Sequence, residues 1–440
     1  MDKAPPSQRE LFRLFLPLAL SGVFFPLAAP VVNAALARTA EPEVALAAYA
    51  VGRGLSNALV SPLFSLRQVT TALARDRRIL ATIRRWSAFL ALGATCVLFT
   101  LCLPPLYRLV VPGLMGIPER IAAVAWPVLG VLALSPLMVV GRGYYQGILV
   151  RYDRSGPIGT GAFLYVAGTA ALLVLGTAFS GLEGALLAAL ALFGGQILYM
   201  AAVWPACRRV IRDLVPAQDR DLRPDQLGGR YLLGFYWPLA LATVLLSLSE
   251  PLLQAGMARL PQAELALAAY PVCTALSWLA GVPLWNAQQL AIAQIRDRPS
   301  FVAVRRFILG ASLVLTGAML LMALPPLSGW IFGGLMGLEG RVGELALLGF
   351  RLLVPMPLLM GGRSLYHGVL ISQDATGHAR TGALVRVAVL VLVLVGGVAG
   401  GAVHGLAVAL VASQVSALAE LVYLHRRVRR FAVVSGLESA

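Results

Sequence analysis

The sequence has little charge and almost no lysine. Asp, Glu, Lys and Arg make up 13% of its 440 residues, and Lys3 is its one lysine. A soluble domain is about a quarter charged, so water is not this chain's only solvent. Four cysteines (Cys96, Cys102, Cys207 and Cys273) share no CxxC or other ligand spacing, which excludes a disulfide scaffold and leaves no metal motif. No GxxxxGK[ST] loop is present, so ATP does not drive the chain directly, and HExxH and GxSxG are absent too. The four histidines are scattered. With no intramembrane Asp, His or Ser constellation, the chain reads as no enzyme, with no cofactor and no metal.

What is present is apolar residue, 59% of the chain, in runs of about twenty or more that span roughly 30 Å of hydrocarbon as helices. The chain is expected to be an all-α polytopic membrane protein. Hydropathy with Pro, Gly and Arg punctuation gives twelve spans, near 12–38, 44–74, 86–107, 120–150, 158–180 and 183–205, then 231–259, 264–295, 305–327, 342–371, 380–400 and 404–425. Residues 207–230 form the one long hydrophilic linker, dividing a six-helix lobe at 1–206 from another at 231–440. The first apolar stretch is too long for a signal-peptide core and should remain as the first helix.

Lys and Arg total 36 against 20 Asp and Glu, a net charge of +16. In a soluble protein this would suggest nucleic acid. Here most basic residues fall in alternate loops and at the two ends, and Arg38, Arg108, Arg120, Arg259 and Arg341 fall on the opposite face. The positive-inside rule then places both termini in the cytoplasm and the chain in the inner (plasma) membrane. The charge calls for no partner beyond anionic lipid headgroups, and no nucleic acid.

The halves repeat. Phe15-Leu16-Pro17-Leu18 returns as Tyr236-Trp237-Pro238-Leu239, Arg75-Asp76-Arg77 as Arg296-Asp297-Arg298, and Gly141-Arg142 as Gly362-Arg363, always 221 positions on. An even number of spans per half makes these parallel repeats, which predicts two lobes with a substrate site between them and alternating access by rocking. The reading is compatible with a monomer. Pro30 in the first span and Pro238 and Pro251 in the seventh remove backbone donors, marking these helices as cavity-lining, moving elements or as plain packing kinks.

Ionisable groups deep in spans point to function, because hydrocarbon does not tolerate them. They are Arg53, Arg67, Arg142, Arg351, Arg363 and Arg386, with Glu250 and Glu420. Arg142 and Arg363 are repeat-related, each roughly 13 Å from the cytoplasmic end of its helix at 1.5 Å per residue. Guanidinium forks suit carboxylate and phosphate, so this pair, with Arg67 and Arg53, is expected to bind an anion. Bonding to helix carbonyls or closing a gate is the structural alternative. Snorkelling is the expectation for Arg351 and Arg386, and Glu420 reads as a neighbour of the basic tail. Glu250 could pair with a cavity arginine, carry a coupling proton or close the lobes as a static bridge. Asn33, Gln254, Tyr49 and Tyr270 could add neutral hydrogen bonds or serve as interhelical glue.

A 6+6 bundle of this kind resembles the multidrug/oligosaccharidyl-lipid/polysaccharide (MATE-like, MOP) exporter superfamily. Within it the chain resembles the progressive ankylosis (ANK) family in Phe235-Tyr236-Trp237-Pro238-Leu239-Ala240-Leu241, Ala269-Tyr270-Pro271-Val272 and Arg67-Gln68-Val69. Gly147-Ile148-Leu149, Arg363 with Gly368, and Gly401-Ala402-Val403-His404-Gly405 carry the similarity further. Two positions depart from the family's pattern, Glu250 standing where a basic residue is expected and Ala29 where an acidic one is expected. The resemblance implies a secondary transporter exporting a small polyanion such as pyrophosphate, citrate or a nucleotide. A MATE-type cationic-drug antiporter would want intramembrane carboxylates, which the first six spans lack in mid-span. A flippase for an anionic lipid-linked precursor would also use arginines, and a non-transporting scaffold or receptor is the remaining class.

Overall fold

The computed structural model describes residues 5–36, 39, 41–114, 117, 119–179, 182–218, 228–335, 340–401 and 404–434, and among these there is helix and no strand. The first repeat contains α1 (Gln8–Leu36), α2 (Pro42–Val60), a 3-10 turn (Ser61–Ser65), α3 (Leu66–Leu73), α4 (Arg77–Leu101), α5 (Pro104–Arg108), α6 (Glu119–Leu132), α7 (Ser135–Arg151), α8 (Gly156–Phe179) and α9 (Gly184–Asp213). The second contains α10 (Gly229–Ser247), α11 (Ser249–Ala258), α12 (Ala263–Gln294), α13 (Arg298–Ala323), α14 (Gly340–Leu352), α15 (Met356–Ser372), α16 (Gly377–Ala399) and α17 (Gly405–Val434).

Among the described residues nine helices are long and apolar enough to cross a membrane, and α4 with the following segment to Gly113, bent by 73°, adds a tenth. The α2–α3 stretch and α12 fill the two remaining, repeat-related places of a twelve-helix fold. Outward-facing Phe179 and Phe89, 84% and 73% exposed, are at home in hydrocarbon.

Two helices start earlier than hydropathy suggests. Asp76 caps α4, its carboxylate accepting from the amides of Arg78 and Ile79 at 2.9 Å. Its repeat mate Asp297 caps α13 through the Ser300 amide at 2.9 Å, with Ser300 closing a capping box. The repeated Arg-Asp-Arg string is thus a helix-start signal. Helix begins there while the chain is still polar, ahead of the first apolar run.

The chain forms two compact units. The N-terminal unit is Leu16–Ala240, and the C-terminal unit comprises Met1–Phe15 with Leu241–Ala440. The chain therefore passes from one unit to the other inside α1 and again inside α10, close to Pro17 and Pro238. Within the C-terminal unit Phe15 packs edge-on to Phe307, centroids 5.3 Å apart. Within the N-terminal unit Tyr236 meets Trp86 at 4.9 Å and donates to the Pro62 carbonyl at 3.2 Å. α1 stays helical through Pro17 and Pro26, whereas the α10–α11 break falls at Leu248, beyond Pro238.

Helices in lipid gain little from apolar contact with one another and approach closely where side chains are small. A Cβ added to Gly147 on α7 would lie 2.5 Å from Thr70 Cβ on α3. Gly368 on α15 is as close to Ala291 on α12. These repeat-related contacts fix the pairs of helices that carry the site residues. Apolar clusters fill the rest: Leu63, Leu66, Leu98 and Leu129 in the N-terminal unit, Cys273, Phe332, Phe350 and Leu410 in the C-terminal unit.

Candidate anion-binding site

Arg142 and Gln146 lie one turn apart on α7 and share a face. Because α7 lies against α3 at Gly147, that face meets Arg67, whose Nη1 donates to Gln146 Oε1 at 3.4 Å. The Gln146 amide donates in turn to the Tyr199 hydroxyl on α9 at 2.6 Å. The Arg142 guanidinium sits 4.4 Å from the centre of the Phe25 ring on α1, and Phe25 packs on Tyr165 and Tyr199 at 5.0 and 5.3 Å. Arg142 interacts electrostatically with Tyr165, Tyr199 and Arg67. It makes no hydrogen bond or ion pair among the described residues. Arg53, on α2, donates to Tyr49 at 3.2 Å and also acts on Tyr165. Arg53, Arg67 and Arg142 are all partly accessible to solvent.

The C-terminal unit treats its own arginine differently. Arg363, on α15, is buried, and its Nε donates to Glu420 Oε1 on α17 at 3.0 Å. His367 Nε2, one turn along, lies 3.2 Å from the same oxygen, and Arg386 Nη1 on α16 donates to Oε2 at 3.3 Å. Trp285 stacks on Arg363 with 4.7 Å from guanidinium carbon to ring centre. Glu420 is wholly buried. A buried carboxylate needs such partners, and three cationic or potentially cationic groups surround it.

Several expectations are corrected. Arg363 is not a guanidinium awaiting an anion, because it is buried and its Nε already donates to Glu420. Glu420 is no mere neighbour of the basic tail, and Arg386 does not snorkel but reaches the same carboxylate. Arg351 is exposed and bonds the Ala323 carbonyl at 3.4 Å. Tyr270 is buried in the apolar cluster with Cys273 and Phe350 and makes no bond to these arginines among the described residues. Tyr49 does stand beside Arg53. Asn33 and Gln254 are exposed on α1 and α11, with no bond to these arginines among the described residues. Glu250 is exposed in the first turn of α11, where a negative charge suits the helix dipole, and it makes no ion pair among the described residues. Pro238 lies inside α10. The side chains of Pro30 and Pro251 lie outside the described residues.

Sequence reasoning passed over Tyr165, Tyr199 and Trp285, which look like ordinary core aromatics. The signal for Tyr199 was the repeat itself, which sets it opposite Glu420. A cavity of about 770 Å³ opens near Thr39, Glu41, Leu173, Thr177 and Glu183 in the N-terminal unit and contains none of the arginines. Among the described residues no group of His, Cys, Asp and Glu could hold a metal ion.

The family model described as "Progressive ankylosis protein (ANKH)" matches residues 4–283. The chain belongs to the progressive ankylosis family. The match covers the whole arginine cluster of the N-terminal unit and stops ahead of Arg363 and Glu420. No curated protein matches the chain. Among solved structures, a point mutant of the Vibrio cholerae MATE transporter VcmN is similar with a TM-score of 0.74 at 19% identity, over 96% of this chain and 97% of that one. A MOP superfamily transporter from Pyrococcus furiosus, described as having a binding pocket of reverse polarity that suggests a different function, gives 0.72 at 14% identity, over 98% and 97%. An outward-facing MATE family multidrug transporter gives 0.71 at 15%, over 95% and 96%. This progressive ankylosis family member therefore has the MATE-like fold of a multi-span membrane transporter.

Proposed function

We propose that this chain is a secondary transporter that exports a small polyanion, of the pyrophosphate, citrate or nucleotide class, across the plasma membrane by alternating access, with both termini in the cytoplasm. The observation that carries the reading is Arg142. It is a guanidinium about nine residues inside its helix, backed by an aromatic ring, beside a second arginine, and without an anionic partner among the described residues. A charge at that depth is costly unless something compensates it. A multivalent anion would do so, with its oxygens on the forks of Arg142 and Arg67 and with Arg53 and Tyr49 within the same set of helices. Family membership supports the same substrate class. The Pyrococcus furiosus transporter of similar fold is itself described as having a binding pocket of reverse polarity.

The test is efflux from proteoliposomes loaded with labelled pyrophosphate, citrate or ATP, with a labelled cationic drug as the contrasting cargo. Wild-type protein should release at least one of the anions and none of the cation. Arg142→Gln and Arg67→Gln should each cut that release at least tenfold while reconstituting normally. Efflux unchanged in both variants would refute the assignment.

A further inference from the structure

The constant separation of the repeats lets the two arginine sites be laid side by side. Arg142, Gln146, Tyr165 and Tyr199 occupy the positions of Arg363, His367, Arg386 and Glu420, and Arg67 occupies that of Gln288. Register holds to the last helix, since α9 runs Gly184–Asp213 and α17 Gly405–Val434. The contacts repeat as well. Gln146 bonds the side chain at position 199 at 2.6 Å, and His367 meets the side chain at position 420 at 3.2 Å. Each central guanidinium is stacked on an aromatic ring, Phe25 or Trp285.

The difference is one of charge. At position 420 a carboxylate stands within hydrogen-bonding reach of Arg363, His367 and Arg386. At position 199 the matching helix presents a neutral phenol. The second arginine also differs in place: the N-terminal site has Arg67 where the C-terminal site has Gln288, and the C-terminal site has Arg386 where the N-terminal site has Tyr165. Each copy of the frame therefore holds two arginines, but one contains its own anion and the other shows none among the described residues. The C-terminal site is not saturated either, because Arg363 Nη1 and Arg386 Nε are buried with no hydrogen-bond partner.

We propose that Glu420 is a built-in occupant of the anion locus in the C-terminal unit, and that an oxyanion of the transported substrate takes the corresponding place in the N-terminal unit, beside Arg142 and Arg67. Tyr199 is then the position that keeps this locus open, and the identity of the residue there decides whether a unit binds an external anion or an internal one. The inference rests on the polyanion reading above. It goes further in confining recognition to one unit and in naming the residue that sets it.

The experiment measures pyrophosphate binding by calorimetry to the full chain in nanodiscs. Tyr199→Glu supplies the N-terminal locus with its own carboxylate and should weaken binding at least tenfold. Gln373→Glu, which adds the same charge at the exposed end of α15, should bind as wild type. Glu420→Gln removes the internal occupant, so that variant should take up a second pyrophosphate, and its melting temperature should rise with pyrophosphate more steeply than that of wild type. Binding by Tyr199→Glu within threefold of wild type overturns the inference, as does a Glu420→Gln protein with unchanged stoichiometry and unchanged anion dependence. Where Tyr199→Glu cannot be purified as a monodisperse protein, the Glu420→Gln melt in native membranes decides. Wild-type protein that binds none of pyrophosphate, citrate and ATP sinks the polyanion reading itself, whereas wild-type binding with an indifferent Tyr199→Glu sinks only the assignment of Tyr199.

Discussion

Glu420 and Arg142 make opposite predictions about stability. Removing one partner of a buried ion cluster leaves the others uncompensated, which costs about 3–5 kcal/mol. Glu420→Ala, which strips the carboxylate from Arg363 and Arg386, should therefore lower the thermal unfolding midpoint sharply. Arg142 stabilises nothing through a hydrogen bond or ion pair among the described residues, so Arg142→Gln should leave the midpoint unchanged or raised while abolishing efflux. A large stability loss in Arg142→Gln would mean that Arg142 is structural. At this scale the sequence was partly legible. Intramembrane arginines stand out by the cost of burying them, so Arg67 and Arg142 could be named before any coordinates. Their partners could not. A tyrosine in a membrane helix carries no such cost, and Glu420, close in sequence to Arg426 and Arg427, looks like part of a surface charge cluster until α17 is seen to turn it inward.

Helix ends and crossings are where element-level forces can be measured. Asp297 caps α13, and the Ser300 hydroxyl, followed by the Ser300 backbone, holds its carboxyl below the ordinary carboxylate range. A carboxyl lowered in the folded state stabilises fully above its unfolded pKa, and the benefit is lost as pH falls through the folded value. Asp297→Ala should accordingly cost about 1 kcal/mol near neutral pH, the usual worth of an N-cap. The difference from wild type should vanish in melts carried to strongly acidic pH, and a gap that persists there would rule out the cap as its source. Gly147 governs the crossing of α7 on α3. Gly147→Val would force the helices apart at a cost of about 1–3 kcal/mol and move Arg142 away from Arg67, so anion binding should weaken along with the melt. Hydropathy located all twelve spans, yet it started α4 and α13 late, because their first turns lie in polar sequence and are set by Asp76 and Asp297. The 3-10 turn at Ser61–Ser65 had only Pro62 to announce it, and α12 passes its counterpart Pro283 without a break.

For the whole molecule, arginines gathered within membrane helices are a standing cost that a bound anion would relieve. Anything that binds the folded state alone stabilises it by RT ln(1 + [L]/Kd), about 2.7 kcal/mol at a hundred times Kd. Pyrophosphate or citrate should raise the melting temperature of the wild type in a saturable way. Chloride at matched ionic strength should not, and Arg142→Gln should lose the effect. Equal shifts from every salt would indicate screening rather than binding. The duplication was fully legible at this scale, since the fixed offset shows in the letters alone. The passage of the chain between units inside α1 and α10 was not, because nothing in the polar linker hints that the start of the chain packs with residues near Phe307.

A gap-free duplication also equips the molecule with its own experimental control. Residues of one half have counterparts 221 positions on in the other, inside the same polypeptide. Any substitution can be made twice, and the effect that survives subtraction belongs to the chemistry of one copy rather than to the architecture both inherited from a common ancestor.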